Sequence, residues 1–268
     1  MSNDPIPGTE VVPLRADYGA GAYRRRIRVR AREGAIDADL EDDFHRFALR
    51  VEHDGALVTA VPAAARRYPW TTCPGAVGVL ERLVGLPLTE SHAAVRAYSN
   101  PRMHCTHLFD LATVAIACAR RGDAGADYAV EVPDAGDGER VVRLARNGEP
   151  RLAWHLDEMR IVPPTPAPFA GVALLGGFGD WAEAELEPSD AEAALVLRRA
   201  VFIAVGRRFE FERIASASAF EETPAACHSF NPGVREQALR AHGMIRNFSD
   251  RPDDLLLDSL ELQDGLEP

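Results

Sequence analysis

Arginines alternate with mostly apolar residues in one short stretch, YRRRIRVRAR at residues 23–32. Successive side chains of a β-strand point to opposite faces, so a period of two predicts a strand with one wet face and one buried face. The wet face is either a solvated surface or a surface that attracts an anionic substrate or partner. Its arginines are Arg24, Arg26, Arg28, Arg30 and Arg32.

The first half of the chain continues with strand and helix signals in turn. An Asp-Gly turn at 53–55 predicts a hairpin between strands at 44–52 and 56–62. Proline and glycine punctuation then predicts helices at about 74–83 and about 104–120, with a shorter helix between them in LTESHAAVRAY. This half is therefore expected to pack a sheet against helices.

The second half changes character. Residues 127–162 predict an antiparallel meander, because short apolar runs are separated by turn residues. Ser189 and Glu192 form a capping box for a long helix, and its apolar residues predict that it is buried. A short helix is expected within 231–243. The fold class predicted is α+β, with antiparallel sheet packed against helices, a second antiparallel meander and a long buried helix.

Four segments are predicted along the chain. Residues 1–20 form a flexible arm, 21–122 an α+β core, 123–250 the meander with helices that pack on this core, and 251–268 a loose acidic tail. A single domain over 21–250 remains the alternative, because the second half can simply cover the first.

Composition excludes several classes of function. The formal net charge of -11 argues against a duplex nucleic-acid binder. Apolar runs are too short for a membrane helix, and the N-terminus lacks the pattern of a signal peptide, so we expect a cytoplasmic protein. All 30 basic residues are arginine, which excludes a Schiff-base lysine and a P-loop lysine. The glycine-rich stretch GVALLGGFGDW lacks the nucleotide-binding spacings, so no nucleotide cofactor is expected.

Residues 102–112, RMHCTHLFDLA, place two imidazoles and a thiol at a predicted helix start. Unpaired N–H groups and the helix dipole favour a thiolate there. Cys105 and Cys73 both stand at such starts, so we expect them to share a site with a histidine. His104 and His107 compete for that place, since Cys105 and His107 would diverge on a regular helix. The competing interpretation is structural, because free cysteines are commonly buried.

A second cluster lies in EDDFHRF, residues 41–47. In an extended chain Asp43 and His45 share a face, where they could act as metal ligands or as a general-base pair. The alternative is a solvated acidic entry to a strand.

Several motifs together resemble one bacterial family of unknown function, DUF2889, over nearly the whole chain. They are YRRRIRVRA, LEDDFHRFALRVEHDG, YPWTTCPGA, CTHLFDLA, LRRAVFIAVGRR and CHSFNPGVREQALRAHGMIRNFS. PWTTCPGA and CTHLFDL look like the signatures of this family, which implicates Cys73, Cys105 and His107. An aromatic residue is expected where His228 stands.

Residues 41–120 also resemble the U-type iron–sulfur cluster scaffold proteins, through a hairpin, Cys73, GLPLTE and HCTHLFDLA. This resemblance implies the scaffold fold for the first half. It also implies a ligand set of an aspartate, two cysteines and a histidine: Asp43, Cys73, Cys105 and His104. The first scaffold cysteine is missing near Glu41, so the set would hold zinc or ferrous iron rather than a cluster.

The function expected is that of an enzyme on a small molecule. Through the DUF2889 resemblance we expect a lyase of the retro-aldol or formaldehyde-releasing type that acts on an aromatic or lignin-derived compound. The candidate catalytic residues are His45, His107 and Cys105, and the candidate cofactor is a divalent metal. The alternative is a carrier of metal, sulfur or an iron–sulfur cluster without catalysis of its own. A homodimer remains open.

Overall fold

One antiparallel sheet of nine strands forms the centre of the fold in the computed structural model. The structure describes residues 13–135, 140–220 and 226–257. The strands are β1 (Ala22–Arg32), β2 (Ala35–Asp42), β3 (Arg46–His53), β4 (Val58–Ala60), β5 (Ala63–Arg67), β6 (Gly125–Pro133), β7 (Arg140–Arg146), β8 (Glu149–Asp157) and β9 (Arg160–Val162). Their order is β4-β3-β2-β1-β6-β7-β8-β9, with β5 paired to β3, so the two halves of the chain meet where β1 pairs with β6.

The described residues also contain α-helices, which are α1 (His92–Tyr98), α2 (Thr106–Arg121), α3 (Phe178–Glu185) and α4 (Pro188–Ala204). Helix α2 packs on β1, β2 and β3, and α4 packs on β6, β7 and β8. Short 3₁₀-helices complete the fold at Cys73–Ala76, Gly78–Leu83, Pro101–Met103, Val205–Arg208, Phe211–Arg213, Ala217–Phe220, His228–Phe230, Arg235–Gln237 and Pro252–Asp254. The predicted α+β class, with antiparallel sheet against helices, is confirmed.

The alternation of β1 appears in the structure as two faces. Ile27 and Val29 are buried with the helices, whereas the arginines of the other face are only partly covered. On that face Arg26 and Arg28 both pair with Asp127 of β6. The single carboxylate of Asp127 therefore neutralises only one of these two charges within the sheet.

Several sequence predictions of local structure were wrong, and tertiary packing explains most of them. Strand β2 was missed, and residues 74–83 form 3₁₀-helices rather than an α-helix. Glu187 caps α4 and Ser189 lies inside the helix, so the predicted capping box is wrong. Helix α3 was missed because its glycine-rich start resembles a loop. Within 231–243 only a 3₁₀ turn forms.

Parts of the predicted arm and tail pack against the body of the protein. Leu14 forms an isolated bridge with Phe209. Leu255 and Leu256 are buried, and the backbone N–H of Leu256 donates to Glu41 at 2.9 Å. Residues 1–12 and 258–268 lie outside the described residues. In the described part of the chain, no helix is both long and apolar enough to cross a bilayer.

Candidate functional site

Asp42, the last residue of β2, lies at the centre of a buried hydrogen-bond network and is 0% exposed. The β1–β2 register places Arg25 directly opposite. One carboxylate oxygen, Oδ2, accepts from Tyr23 Oη and Arg25 Nη2, both at 2.7 Å. The other, Oδ1, accepts from the backbone N–H groups of Phe44 and His45, each at 2.8 Å, and lies 3.0 Å from His45 Nδ1.

These contacts fix the protonation states of Asp42 and His45. Burial opposes ionisation of Asp42, but His45 and Arg25 outweigh it and hold the pKa of this carboxyl well below 3.8. Burial lowers the pKa of His45 despite the nearby carboxylate, so its ring is neutral near pH 7. A carboxylate only accepts hydrogen bonds, so Nδ1 of the neutral ring carries the proton and Nε2 keeps its lone pair. No described residue bonds to that Nε2.

His107, in the first turn of α2, stacks on this histidine. The ring centroids of His45 and His107 are 3.7 Å apart, with 30° between the planes. Burial, followed by electrostatic coupling to His45 and the charge of Arg25, holds the pKa of His107 well below 6.5. His107 Nε2 is buried without a hydrogen-bond partner among the described residues. The stacked pair is thus two neutral imidazoles with unpaired nitrogens.

Cys105 is the N-cap residue of α2, because the helix begins at Thr106 rather than at His104. This irregular start brings Cys105 Sγ to 3.8 Å from His107 Nδ1, so the two side chains do not diverge. Burial raises the pKa of Cys105 far above 9. Burial likewise raises the pKa of Cys73 to about 11, although the contact of its Sγ with Ser229 Oγ, at 3.4 Å, acts in the opposite direction. Burial outweighs the helix dipole, and both residues are thiols rather than the thiolates expected from the sequence.

Alkylation tests these thiols directly. With iodoacetamide at pH 7.5, Cys73 and Cys105 of the native protein should react at least about 10²-fold more slowly than in the guanidinium-unfolded protein, because only the thiolate attacks. Peptide mapping by mass spectrometry measures each rate, and the unfolded chain is the control. Equal rates for Cys105 in both states would contradict its assignment as a buried thiol.

The structure does not bring the ligand atoms of the four predicted metal ligands, Asp43, Cys73, His104 and Cys105, together in one group. Asp43 pairs with Arg207, and burial raises its pKa to about 6. His104 is fully buried, and its Nε2 lies 2.7 Å from Ser99 Oγ. Of the described residues, the potential ligand atoms that converge within 4.8 Å belong to Asp42, His45 and His107. His107, rather than His104, therefore joins His45.

A cavity of about 640 Å³ lies between the helix-facing side of the sheet and helices α1 to α4. Arg25 and Thr106 line it. Neither His45 nor His107 lines it, but Arg25 bonds to Asp42, and Thr106 Oγ1 lies 3.5 Å from His107 Nδ1, so these two wall residues separate the cavity from the imidazole pair. The side chains of Phe109 and Phe178 form the aromatic part of the cavity wall.

Arg25, Asp42 and Tyr23 were not predicted as site residues. The sequence does carry a signal for Arg25, because it occupies the apolar phase of the β1 alternation between Tyr23 and Ile27. A charge in a buried phase requires a buried partner. That partner is Asp42, whereas the sequence analysis predicts the next residue, Asp43, as a site residue.

Residues 24–120 match the family model described as a protein of unknown function, DUF2889. This segment belongs to the DUF2889 family. The DUF2889 segment extends from β1 to the end of α2 and contains Arg25, Asp42, His45 and His107. Arg198 and the rest of the α4 wall lie beyond it. No curated protein and no solved structure matches the chain, and the resemblance to the iron–sulfur scaffold proteins is not supported by these comparisons.

Proposed function

We propose that the protein is a small-molecule enzyme in which His45 acts as a general base on a substrate that occupies the 640 Å³ cavity and extends past Arg25 and Thr106 towards His45. The observation that carries this proposal is the buried Asp42–His45 pair, whose geometry leaves His45 Nε2 as an unpaired proton acceptor. A buried carboxylate that orients imidazole and fixes its tautomer is a recurring device of acid–base catalysis.

The reaction class that suits this arrangement is a lyase of the retro-aldol type, with loss of formaldehyde from a hydroxymethyl group of an aromatic compound. His45 Nε2 takes the proton of the hydroxyl group as the carbon–carbon bond breaks. The electron pair of that bond passes into the conjugated system of the substrate, and the imidazolium returns the proton to the carbon. Arg25, at the cavity wall, supplies positive charge near the developing anion. The aromatic side chains of Phe109 and Phe178 favour an aromatic substrate.

A divalent metal, zinc or ferrous iron, is the competing proposal for the same cluster. Two histidines and a carboxylate are a common ligand set for ferrous iron. Asp42, however, already accepts hydrogen bonds at both oxygens from Tyr23, Arg25 and the turn backbone. Binding a metal would require it to give up some of them. The donor set therefore fits a base better than a three-ligand metal site.

The carrier alternative needs accessible thiolates, and Cys73 and Cys105 are buried thiols. We therefore place it second to the enzyme. The four free cysteines agree with a cytoplasmic location, which belongs to the same proposal. A nucleic-acid partner is not part of it, in view of the net charge of -11.

A depletion assay tests the proposed function. Purified protein is incubated with a panel of hydroxymethyl-bearing aromatic compounds, and formaldehyde and the residual compounds are measured. We expect at least one compound to be consumed by the wild type, with stoichiometric formaldehyde, both before and after treatment with EDTA. Loss of activity on chelation that zinc or ferrous iron restores would favour the metal site instead. Consumption without formaldehyde would reject the retro-aldol reaction.

A further inference from the structure

The cavity wall contains both acidic and basic side chains, and nearly all the acids already have partners. Asp110 accepts from Arg199 at 2.5 Å, and Asp180 from Arg96 at 2.6 Å. The remaining acids are engaged as follows: Glu183 by Ser91 Oγ and the N–H of Ala93, Glu192 by Tyr128 and Arg121, and Glu90 by Arg121. Four of these carboxylates are therefore ion-paired with other arginines, Glu183 is held by neutral donors, and none of the five forms an ion pair with Arg198.

Two arginines that line the cavity, Arg102 and Arg198, have no carboxylate partner among the described residues, and Arg102 is exposed at the surface. Arg198 lies on α4 and is only partly exposed. Its Nε donates to the carbonyl of Leu174 at 2.7 Å, and its guanidinium lies 4.7 Å from the ring centroid of Phe202 and 5.6 Å from that of Phe178. Among the described residues it has no carboxylate partner. These contacts hold the guanidinium plane in place and leave both terminal nitrogens without a hydrogen-bond partner in the described chain.

The surroundings of Arg198 favour an added anion. Burial, and then Arg199, lower the pKa of Arg198 to about 10, which shows how poorly its charge is compensated. A partly buried guanidinium gains from a bidentate anion, because the fork of N–H donors matches the two oxygens of a carboxylate. Arg198 is thus prepared for a ligand rather than for a protein partner.

We propose that Arg198 binds the carboxylate of an aromatic monocarboxylate in the cavity and so determines the substrate class. This inference rests on the proposed function, since it describes the substrate of the same site. The acid end of the ligand lies against α4, and its reacting end lies towards Arg25 and Thr106, beside the imidazole pair. Arg198 is a binding residue and takes no part in proton transfer.

A singly charged carboxylate fits better than a phosphate ester. One unpaired guanidinium neutralises one charge, so the second charge of a phosphate ester would be left without a partner in a partly buried site. Much of the remaining wall is apolar, with Ile27, Leu40 and Val114 among its residues, which suits an aromatic body.

Calorimetric titration with two matched probes tests this inference. Biphenyl-4-carboxylate and the uncharged 4-biphenylmethanol differ mainly in charge, and inorganic phosphate is the third probe. We expect the acid to bind the wild type about 10-fold or more tightly than the alcohol, as charge-assisted hydrogen bonds imply. Arg198→Gln should remove that preference. Arg120→Gln, at an exposed arginine of α2, should leave it unchanged.

Each other outcome overturns the inference. Equal affinity of the wild type for acid and alcohol would contradict an anion site at Arg198, and so would full preference for the acid in Arg198→Gln. Phosphate binding as tight as that of the acid would contradict the assignment of a carboxylate as the ligand. If Arg198→Gln does not fold, as judged by circular dichroism, Arg198→Met is used in its place, because it keeps the apolar stem and removes the charge; full preference for the acid in that variant would equally overturn the inference. Binding to His45→Gln keeps the two proposals separate, because this variant should bind the acid normally even if the role of His45 as a base is wrong.

Discussion

Replacing Asp42 by alanine should lower the free energy of unfolding by about 3–5 kcal/mol, the usual cost of removing one partner of a buried ion pair. The side chains of Asp42 and Arg25 are 0% and 1% exposed, so water cannot compensate the charge that remains. The variant also leaves Tyr23 and the N–H groups of the β2–β3 turn without their acceptor. Few single substitutions in this protein disturb as many buried donors.

Chemical denaturation followed by circular dichroism measures this effect. Asp17→Ala is the matched control, because its ion pair with Arg15 is largely exposed and should contribute little to the free energy of unfolding. Adding Arg25→Met to Asp42→Ala should recover part of the loss, since the unpaired buried charge is then gone. A loss below 1 kcal/mol for Asp42→Ala would show that the network is not buried in solution.

The loss should also depend on pH in a defined direction. The pKa of Asp42 is lowered in the folded protein, so its contribution is fully present above the pKa of the unfolded chain, about 3.9. It decreases progressively as the pH falls from about 5 through the pKa of the unfolded chain, and it is lost below the lower folded pKa. The difference between the wild type and Asp42→Ala should therefore stay constant from pH 7 to about pH 5.

Local patterns predicted the fold class because strands show a period of two in the sequence. The arginines of β1 and the meander after residue 125 both follow it, and both are strands. Strand β2, AIDADLED, was missed although it alternates, because its acidic residues resemble a loop. The 3₁₀-helices at Cys73–Ala76 and Gly78–Leu83 could not be predicted, since tertiary packing rather than propensity decides between 3₁₀- and α-helix there.

The site was only half predictable for a related reason. His45, His107 and Cys105 were identified as reactive types near helix and strand ends, and the structure brings these three together. The choice between Asp42 and Asp43 depends on recognising β2. Ile36, Ala38 and Leu40 alternate on its buried face, and the same phase continues to Asp42. Because β2 was not predicted, this phase could not be used.

Replacing His45 by glutamine should reduce kcat/KM by about 10²–10⁴-fold on whichever substrate the depletion assay identifies, the typical contribution of a positioned base. Glutamine fills similar space and can still donate to Asp42, so folding should be retained. His107→Gln is the matched control, because it keeps the Asp42–His45 pair intact. Steady-state kinetics on both variants shows which imidazole acts as the base. A larger loss of kcat/KM in His107→Gln than in His45→Gln would assign the role of base to His107.

The pH profile of the wild type distinguishes a base from a merely structural histidine. Burial lowers the pKa of His45, so the neutral form persists below pH 6.5 and kcat/KM should stay level from pH 8 to below 6.5. It should then fall with unit slope as His45 takes up a proton, and the same descending limb should be absent from the residual activity of His45→Gln. A histidine that only packs would leave this limb in place in the variant. Because Asp42 holds the proton on Nδ1, the group that titrates is Nε2, which has no hydrogen-bond partner among the described residues.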